Sequence, residues 1–159
     1  AEELSIPFVA SGGIGNAQQM VAALAMGADG INMGTRFIAT QEAPVHANVK
    51  QALIDASELD TRLIMRSLRN TERVLNNAAV EKIIEIEQTK SDELGIEDIA
   101  QLVGGVYPRI MQEGDLDAGA WSCGMVAGLI HDIPTCKELI DRMMAEAEFL
   151  IRERLPALV

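Results

Sequence analysis

The sequence has little cysteine or histidine, and this scarcity limits the chemistry it can perform. Its two cysteines, Cys123 and Cys136, do not have the spacing of a metal-binding or redox motif. We therefore expect two free thiols, as in a cytoplasmic protein. The two histidines, His46 and His131, have no carboxylate or cysteine at ligand spacing. This predicts structural or surface roles for both of them, and no metal site.

Basic and aromatic residues are also scarce, which argues against binding to nucleic acid. The chain has 13 lysines and arginines against 24 acidic residues, a net charge of -11, which disfavours a polyanionic partner. One tryptophan, one tyrosine and three phenylalanines leave no platform on which bases stack. A local phosphate site is still compatible with this charge, because backbone amides bind anions without any basic side chain.

Long apolar runs are missing as well. No segment approaches the roughly 20 apolar residues that span a bilayer, and no signal-peptide pattern is present. We therefore expect no membrane insertion and a cytoplasmic location. The apolar content of 48% is nevertheless sufficient for a packed core, so the chain is expected to fold.

The stretch "IPFVASGGIGNAQQMVAALAMGADGINMGTRF" has the pattern of a βαβ unit. It predicts a strand, a helix and a second strand at Ile6–Ser11, Ala17–Met26 and Gly30–Met33. Asn16 is a favourable N-cap, and Gln19 completes a pattern similar to a capping box. Because both strands are apolar on both faces, they indicate a parallel sheet covered by helices.

A glycine turn follows each predicted strand, Gly12-Gly13 after the first and Gly34-Thr35 after the second. Such turns at the carboxyl ends of adjacent parallel strands can contact one phosphate from two sides. The alternative is that the glycines only form tight connections. The spacing matches neither a P-loop nor a dinucleotide-binding fingerprint.

After Phe37 the alternation of strands and helices stops. The remaining pattern predicts a strand at Thr61–Met65 and several helices, at Ala47–Ala56, Thr71–Glu87, Ile96–Val103, Tyr107–Gln112 and Ala118–Ile130. Thr135 with Glu138 forms a capping box that begins a long amphipathic helix ending near Leu155. The predicted apolar stripe of this helix comprises Leu139, Ile140, Met143, Met144, Ala147, Leu150 and Ile151.

Four arginines lie close together in an otherwise acidic chain, at positions 62, 66, 69 and 73. One interpretation is a solvated surface that pairs with the acidic segment downstream. The other is that Arg66, Arg69 or Arg73 contacts a nucleotide phosphate or closes over an active site. The residues alone leave both interpretations open.

The βαβ stretch with its two glycine turns resembles the last two βα units of the nitronate monooxygenase (2-nitropropane dioxygenase) family. The members of this family are FMN-dependent (β/α)₈-barrel enzymes. Two further segments are similar to the bacterial branch of this family, whose members are NADH:quinone reductases. These segments are "IMRSLRNTERVLNNA" and "GDLDAGAWSCGMVAGLI". The resemblance implies an α/β fold, the C-terminal part of a TIM barrel with a mainly helical inserted lid domain. It places the FMN phosphate at Ser11, Gly12, Gly13, Gly34 and Thr35.

The resemblance also implies a division of the chain and of the chemistry. Residues 1–36 would be the last two βα units, 37–116 the lid that lies over the flavin, and 117–159 the return segment with the C-terminal barrel helix. In the family, the active-site histidine and the residues around the isoalloxazine ring lie upstream of the part matched here. The sequence is therefore expected to be the C-terminal half of an enzyme, without a catalytic residue of its own.

Three functions follow as expectations. The first is electron transfer from NADH through FMN to a quinone, or the oxidation of a nitronate with O₂. A second is another phosphate-binding barrel, such as a phosphosugar isomerase, which a flavin absorption spectrum would distinguish. A third is a non-catalytic helical module, in which exposed apolar strands are buried in a homo-oligomer.

Overall fold

The computed structural model describes residues 3–158, with the side chain of Asp92 excepted. The strands are β1 (Val9–Ser11), β2 (Gly30–Asn32), β3 (Thr61–Ile64) and β4 (Glu72–Leu75). The α-helices are α1 (Ala17–Ala25), α2 (Thr35–Ile38), α3 (Ala47–Asp55), α4 (Ala78–Lys90), α5 (Ala100–Val103), α6 (Tyr107–Met111) and α7 (Cys136–Phe149). Short 3₁₀ helices lie at Glu58–Asp60, Ser91–Glu93, Ile96–Asp98, Met125–Leu129 and Pro156–Leu158, and a π-helical turn at Leu150–Arg154 continues α7.

The chain forms two compact units. The first contains the described parts of Ala1–Ala43 and Asp132–Val159, and the second is Pro44–His131. These limits differ from the sequence-based boundaries after residues 36 and 116. The N–H of Gln41 donates to the carbonyl of Pro134 at 2.9 Å, which joins residues 37–43 to the C-terminal segment. The segment after residue 116 instead pairs with β4 and belongs to the second unit.

The first unit contains the predicted βαβ arrangement. β1 and β2 are parallel and hydrogen-bonded, with Val9 opposite Gly30 and Ser11 opposite Asn32. The Asn16 side chain caps α1 by accepting the N–H of Gln19 at 2.9 Å, as the sequence pattern predicted. The first strand is shorter than the predicted Ile6–Ser11.

Helix α7 packs against α1 in the same unit. The predicted capping box is present, because Thr135 Oγ1 accepts the Glu138 N–H and Glu138 Oε2 accepts the Thr135 N–H. Four residues of its apolar stripe are buried, at Leu139, Met143, Ala147 and Leu150. The other three, Ile140, Met144 and Ile151, are exposed, so four of the seven predicted stripe residues belong to the core.

The second unit contains a β-hairpin. Its first strand, β3, confirms the predicted strand at Thr61–Met65, but its second strand, β4, lies where the sequence predicted the start of a helix. β3 and β4 pair antiparallel, with Thr61 opposite Leu75 and Ile64 opposite Glu72. The predicted helix Thr71–Glu87 is therefore wrong in its first part. Its capping residue is neither Asn70 nor Thr71 but Asn77, whose side chain accepts the N–H of Val80 at 2.8 Å.

The predicted helix Ala118–Ile130 is also wrong for most of its length. Ser122 forms a bridge with Val74, and the Cys123 N–H donates to the Arg73 carbonyl at 3.0 Å, so this segment runs along the free edge of β4. A Cβ at Gly119 would lie 2.6 Å from the Leu102 carbonyl, so this glycine permits a close approach of two backbones. The pairing buries Trp121 completely.

The smaller helices of the second unit lie close to their predicted positions. α3 and α6 fall inside Ala47–Ala56 and Tyr107–Gln112. The predicted helix Ile96–Val103 is divided into a 3₁₀ turn and α5. The core of this unit is formed by side chains from the hairpin, α4 and the following segments, namely Ile64, Met65, Val74, Val80, Ile83, Leu94, Ile99 and Ala120. In the described part of the chain, no helix is long and apolar enough to cross a membrane.

Candidate phosphate-binding site

The two glycine turns follow the C-terminal ends of β1 and β2, which lie at the same end of the parallel sheet. Ser11 ends β1 and Asn32 ends β2, and these residues are paired across the sheet. Adjacent strands lie about 4.8 Å apart, so the turns Gly12-Gly13 and Gly34-Thr35 begin beside each other. Chain connectivity and strand register thus place the five predicted site residues at the same end of these two strands.

The backbone of these turns faces open space. Gly12 and Gly13 have φ values of +92° and +72°, in the left-handed region that glycine adopts without steric cost. Apart from its chain neighbours, a Cβ built on Gly12, Gly13 or Gly34 would meet no atom of residues 3–158 within 4 Å. The protein therefore leaves these positions free for a group that approaches the backbone closely, as a phosphate does.

The side chain of Gln19 spans the first turn. Its Oε1 accepts the Gly15 N–H at 2.8 Å, and its Nε2 donates to the Gly13 carbonyl at 2.8 Å. The sequence had suggested Gln19 only as a capping-box partner of Asn16. Its contacts are instead with the glycine turn, while the buried Ile14 packs against Ala23 and Ala28.

Arg36, next to the second turn, forms an ion pair that the sequence did not reveal. It is 2% exposed, and its Nη2 donates to Asp132 Oδ1 at 2.9 Å and to the Asp132 carbonyl at 3.2 Å. Arg142 donates to the other carboxylate oxygen of Asp132 at 2.7 Å. Desolvation by burial lowers the pKa of Arg36 from its ordinary value, and the carboxylate of Asp132 opposes this. The pair joins the residues after the second turn to the start of the C-terminal segment.

Asp132 makes the stability of the first unit dependent on pH. The hydrogen bond from Arg142 lowers the pKa of Asp132 below its ordinary 3.8, and the charges of Arg36 and Arg142 add to this, while desolvation acts in the opposite direction. The stabilisation is therefore fully present above about pH 4, and it is lost as the pH falls through the folded-state pKa. We expect Asp132→Asn to destabilise the protein in denaturation at pH 7 and to have a smaller effect near pH 2, because the pKa of Asp132 is lowered in the folded protein. An equal effect at both pH values would contradict this linkage.

The four arginines lie on different parts of the β3–β4 hairpin. Arg62 lies on β3 and Arg73 on β4, and Arg66 and Arg69 lie in the loop between these strands. Arg73 Nη1 donates to Thr61 Oγ1 at 2.9 Å, so this side chain has a partner within the hairpin.

The loop arginines differ from Arg73. With the described side chains, Arg66 and Arg69 make no ion pair, and Arg66 lines a shallow depression with Ser67, Glu87 and Gln88. Met65 and Arg69 have φ values of 58° and 53°, which fix a tight loop conformation. Of these four arginines, Arg66 and Arg69 therefore make neither an ion pair nor a side-chain hydrogen bond with the described residues.

Comparison with known proteins identifies the family. Residues 1–146 match the family model described as nitronate monooxygenase. The chain belongs to the nitronate monooxygenase family. Members of this family are flavin-dependent oxidoreductases.

The relatives of this member of the nitronate monooxygenase family are about twice as long as the chain. A 5-hydroxy-7a-methyl-1-oxo-octahydro-1H-indene-4-carboxyl-CoA dehydrogenase of Rhodococcus jostii is 29% identical over 92% of this chain and 51% of the relative. The structure of FabK from Thermotoga maritima matches with a TM-score of 0.90 and 33% identity, over 99% of this chain and 49% of FabK.

A nitroalkane oxidase from Streptomyces ansochromogenes matches with a TM-score of 0.69 and 27% identity, over 92% of this chain and 40% of that one. The structural relatives are TIM-barrel enzymes, which agrees with the predicted α/β class. Two curated relatives match this chain over most of its length, and the chain spans only about half the length of each of them.

The histidines and cysteines have structural environments in this family member. His46 Nδ1 accepts the Asn48 N–H at the start of α3, and His131 is exposed. Cys123 and Cys136 are free thiols, and burial raises the pKa of Cys123 to about 12, so that it stays protonated. Among residues 3–158, no group of three or more histidine, cysteine or acidic residues is placed to bind a metal.

Proposed function

We propose that this chain provides the phosphate end of an FMN site in a flavin-dependent oxidoreductase that passes electrons from NADH to a quinone. One observation carries the proposal. Two glycine turns follow the C-terminal ends of the paired parallel strands β1 and β2. Space is open at the glycines of both turns. In barrel enzymes this is the place where phosphate groups bind.

The proposed contacts are made by the backbone and two hydroxyl groups. The turns after β1 and β2 would contact the phosphate through the N–H groups of Gly12, Gly13 and Gly34, with the hydroxyls of Ser11 and Thr35 as further donors. Under this proposal β1 and β2 are the last two strands of the barrel, and Pro44–His131 is the inserted domain of the family. FMN, when bound, accepts electrons from a reduced donor and passes them to an acceptor.

The electron donor is assigned to NADH, with Arg66 and Arg69 as contacts for a nucleotide phosphate. Both guanidinium groups lack an ion-pair partner among the described side chains, and guanidinium groups bind phosphate oxygens in pairs of hydrogen bonds. Arg73 is the weaker candidate, because it donates to Thr61. We assign no catalytic residue to this chain, since His46 and His131 have the environments described above.

The alternative within the same family is the oxidation of a nitronate with O₂ as the acceptor. The family description supports it directly. Steady-state assays with NADH and a quinone, compared with a nitronate under air, distinguish the two reactions.

A ligand comparison tests the phosphate site itself. The native full-length protein is titrated with FMN and with riboflavin, which has the same ring and ribityl chain but no phosphate. We expect FMN to bind at least about tenfold more tightly, a difference of about 1.4 kcal/mol, because the phosphate gains charge-assisted hydrogen bonds. Equal affinities for the two flavins would contradict the proposed function, whatever the electron acceptor.

A further inference from the structure

Gln19 is the side chain that fixes the shape of the first glycine turn. Its amide oxygen and nitrogen both have backbone partners at 2.8 Å, the Gly15 N–H and the Gly13 carbonyl. An N–H only donates and a carbonyl only accepts, so these two contacts also determine which way the amide group is oriented. The side chain thereby bridges the turn from the first helical turn of α1.

These two contacts orient two successive peptide groups. Each peptide group is planar and trans, so its carbonyl and its N–H point in opposite directions. With the Gly13 carbonyl turned toward Gln19, the N–H of Ile14 points away from that side chain. The Gly15 contact fixes the next peptide group in the same way. Gln19 thus sets the direction of the Ile14 N–H, which directly follows Gly12 and Gly13 of the proposed phosphate site.

The turn needs such a constraint because of its composition. Gly12 and Gly13 have the largest conformational freedom of any residues, and both adopt left-handed φ values here. A flexible turn must be ordered when a ligand binds, and that ordering lowers affinity. A side chain that holds the turn in one conformation removes this cost in advance.

We propose that Gln19 is a positioning residue for the phosphate of the flavin: it preorganises the Gly12–Gly15 turn without contacting the ligand. The inference rests on the proposed function and assigns a specific task to one side chain of that site. It predicts that a change at Gln19 affects the binding of the phosphate-containing flavin more than that of riboflavin.

The test compares Gln19→Met with Gln18→Met in the native full-length protein. Methionine has nearly the length and the helix propensity of glutamine but makes neither contact. Gln18 is the neighbouring residue of α1, is exposed, and makes no side-chain hydrogen bond with the described residues, so it is a matched control. Three quantities are measured: the affinity for FMN, the affinity for riboflavin, and the exchange rate of the Gly15 amide hydrogen.

We expect Gln19→Met to lower the preference for FMN over riboflavin about tenfold, to leave riboflavin affinity unchanged, and to speed exchange at Gly15. Gln18→Met should leave all three quantities unchanged. Gln19→Glu, which accepts from Gly15 but cannot donate to Gly13, should change the FMN preference in the same direction.

The outcomes separate this role from the proposed function. If the unmodified protein prefers FMN and Gln19→Met keeps that preference, the role of Gln19 is wrong and the phosphate site stands. If Gln19→Met weakens FMN and riboflavin equally, Gln19 only supports the fold and the role is again wrong. If the unmodified protein shows no preference for FMN, the phosphate site and the role of Gln19 are both overturned.

Discussion

Replacing Gly13 by aspartate should weaken FMN binding about tenfold or more relative to replacing it by asparagine, a gap of at least about 1.4 kcal/mol. Gly13 has a φ of +72°, and asparagine and aspartate tolerate this left-handed region comparably. The two side chains have almost the same shape, and a Cβ at Gly13 meets no atom of the described part of the chain within 4 Å, its chain neighbours aside. The variants therefore differ mainly in one negative charge placed before the proposed phosphate.

The size of the effect follows from the distance and the medium. Two unit charges 4 Å apart interact with about 1 kcal/mol in water and about 4 kcal/mol near a protein surface. Gly13 is exposed, so the lower part of this range applies. Isothermal titration with FMN measures the difference, and riboflavin is the control, because its affinity should be the same for both variants. Equal FMN affinities for Gly13→Asp and Gly13→Asn would show that no phosphate binds at this turn.

The βαβ unit was predictable because its signals are local. The N-cap Asn16 and the apolar residues of α1 lie within a few positions of each other, and the structure confirms the predicted strand–helix–strand order. The predicted strand at Thr61–Met65 is present as β3, but its partner β4 was missed because residues such as Glu72 and Arg73 favour a helix when taken alone. Their strand conformation depends on pairing with Thr61–Ile64, and a pattern within a short window does not contain that partner.

The same distinction applies to the candidate site. The glycine turns are visible in the sequence, since only their positions after two parallel strands are needed to predict that they lie at the same end of the sheet. The ion pair of Arg36 with Asp132 joins residues 96 positions apart, so no local pattern indicates it. The contacts of Gln19 are local, but a glutamine near the start of a helix also fits a capping box, and the sequence alone favoured that simpler interpretation.

The second large effect is expected on the free energy of unfolding, when the buried guanidinium group of Arg36 loses its partner. Asp132→Asn preserves the shape of the side chain but leaves Arg36, which is 2% exposed, without a negative partner. Breaking a buried ion pair costs several kcal/mol. Asp132 is itself partly exposed, so water screens part of the charge and we expect a loss of about 2 kcal/mol in the free energy of unfolding.

A double variant decides whether the buried charge is the cause of this loss. Arg36→Met combined with Asp132→Asn removes the guanidinium group that the single variant leaves unpaired, and an apolar replacement of a buried pair is often neutral. We therefore expect the double variant to recover most of the stability that Asp132→Asn loses, in urea unfolding at pH 7. The exposed partner Arg142 loses the same carboxylate in both variants, so it does not affect the comparison. If the double variant is less stable than Asp132→Asn, the contribution of Arg36 lies in its packing or in its bond to the Asp132 carbonyl, and the segment after the second glycine turn is held by those contacts instead of by charge.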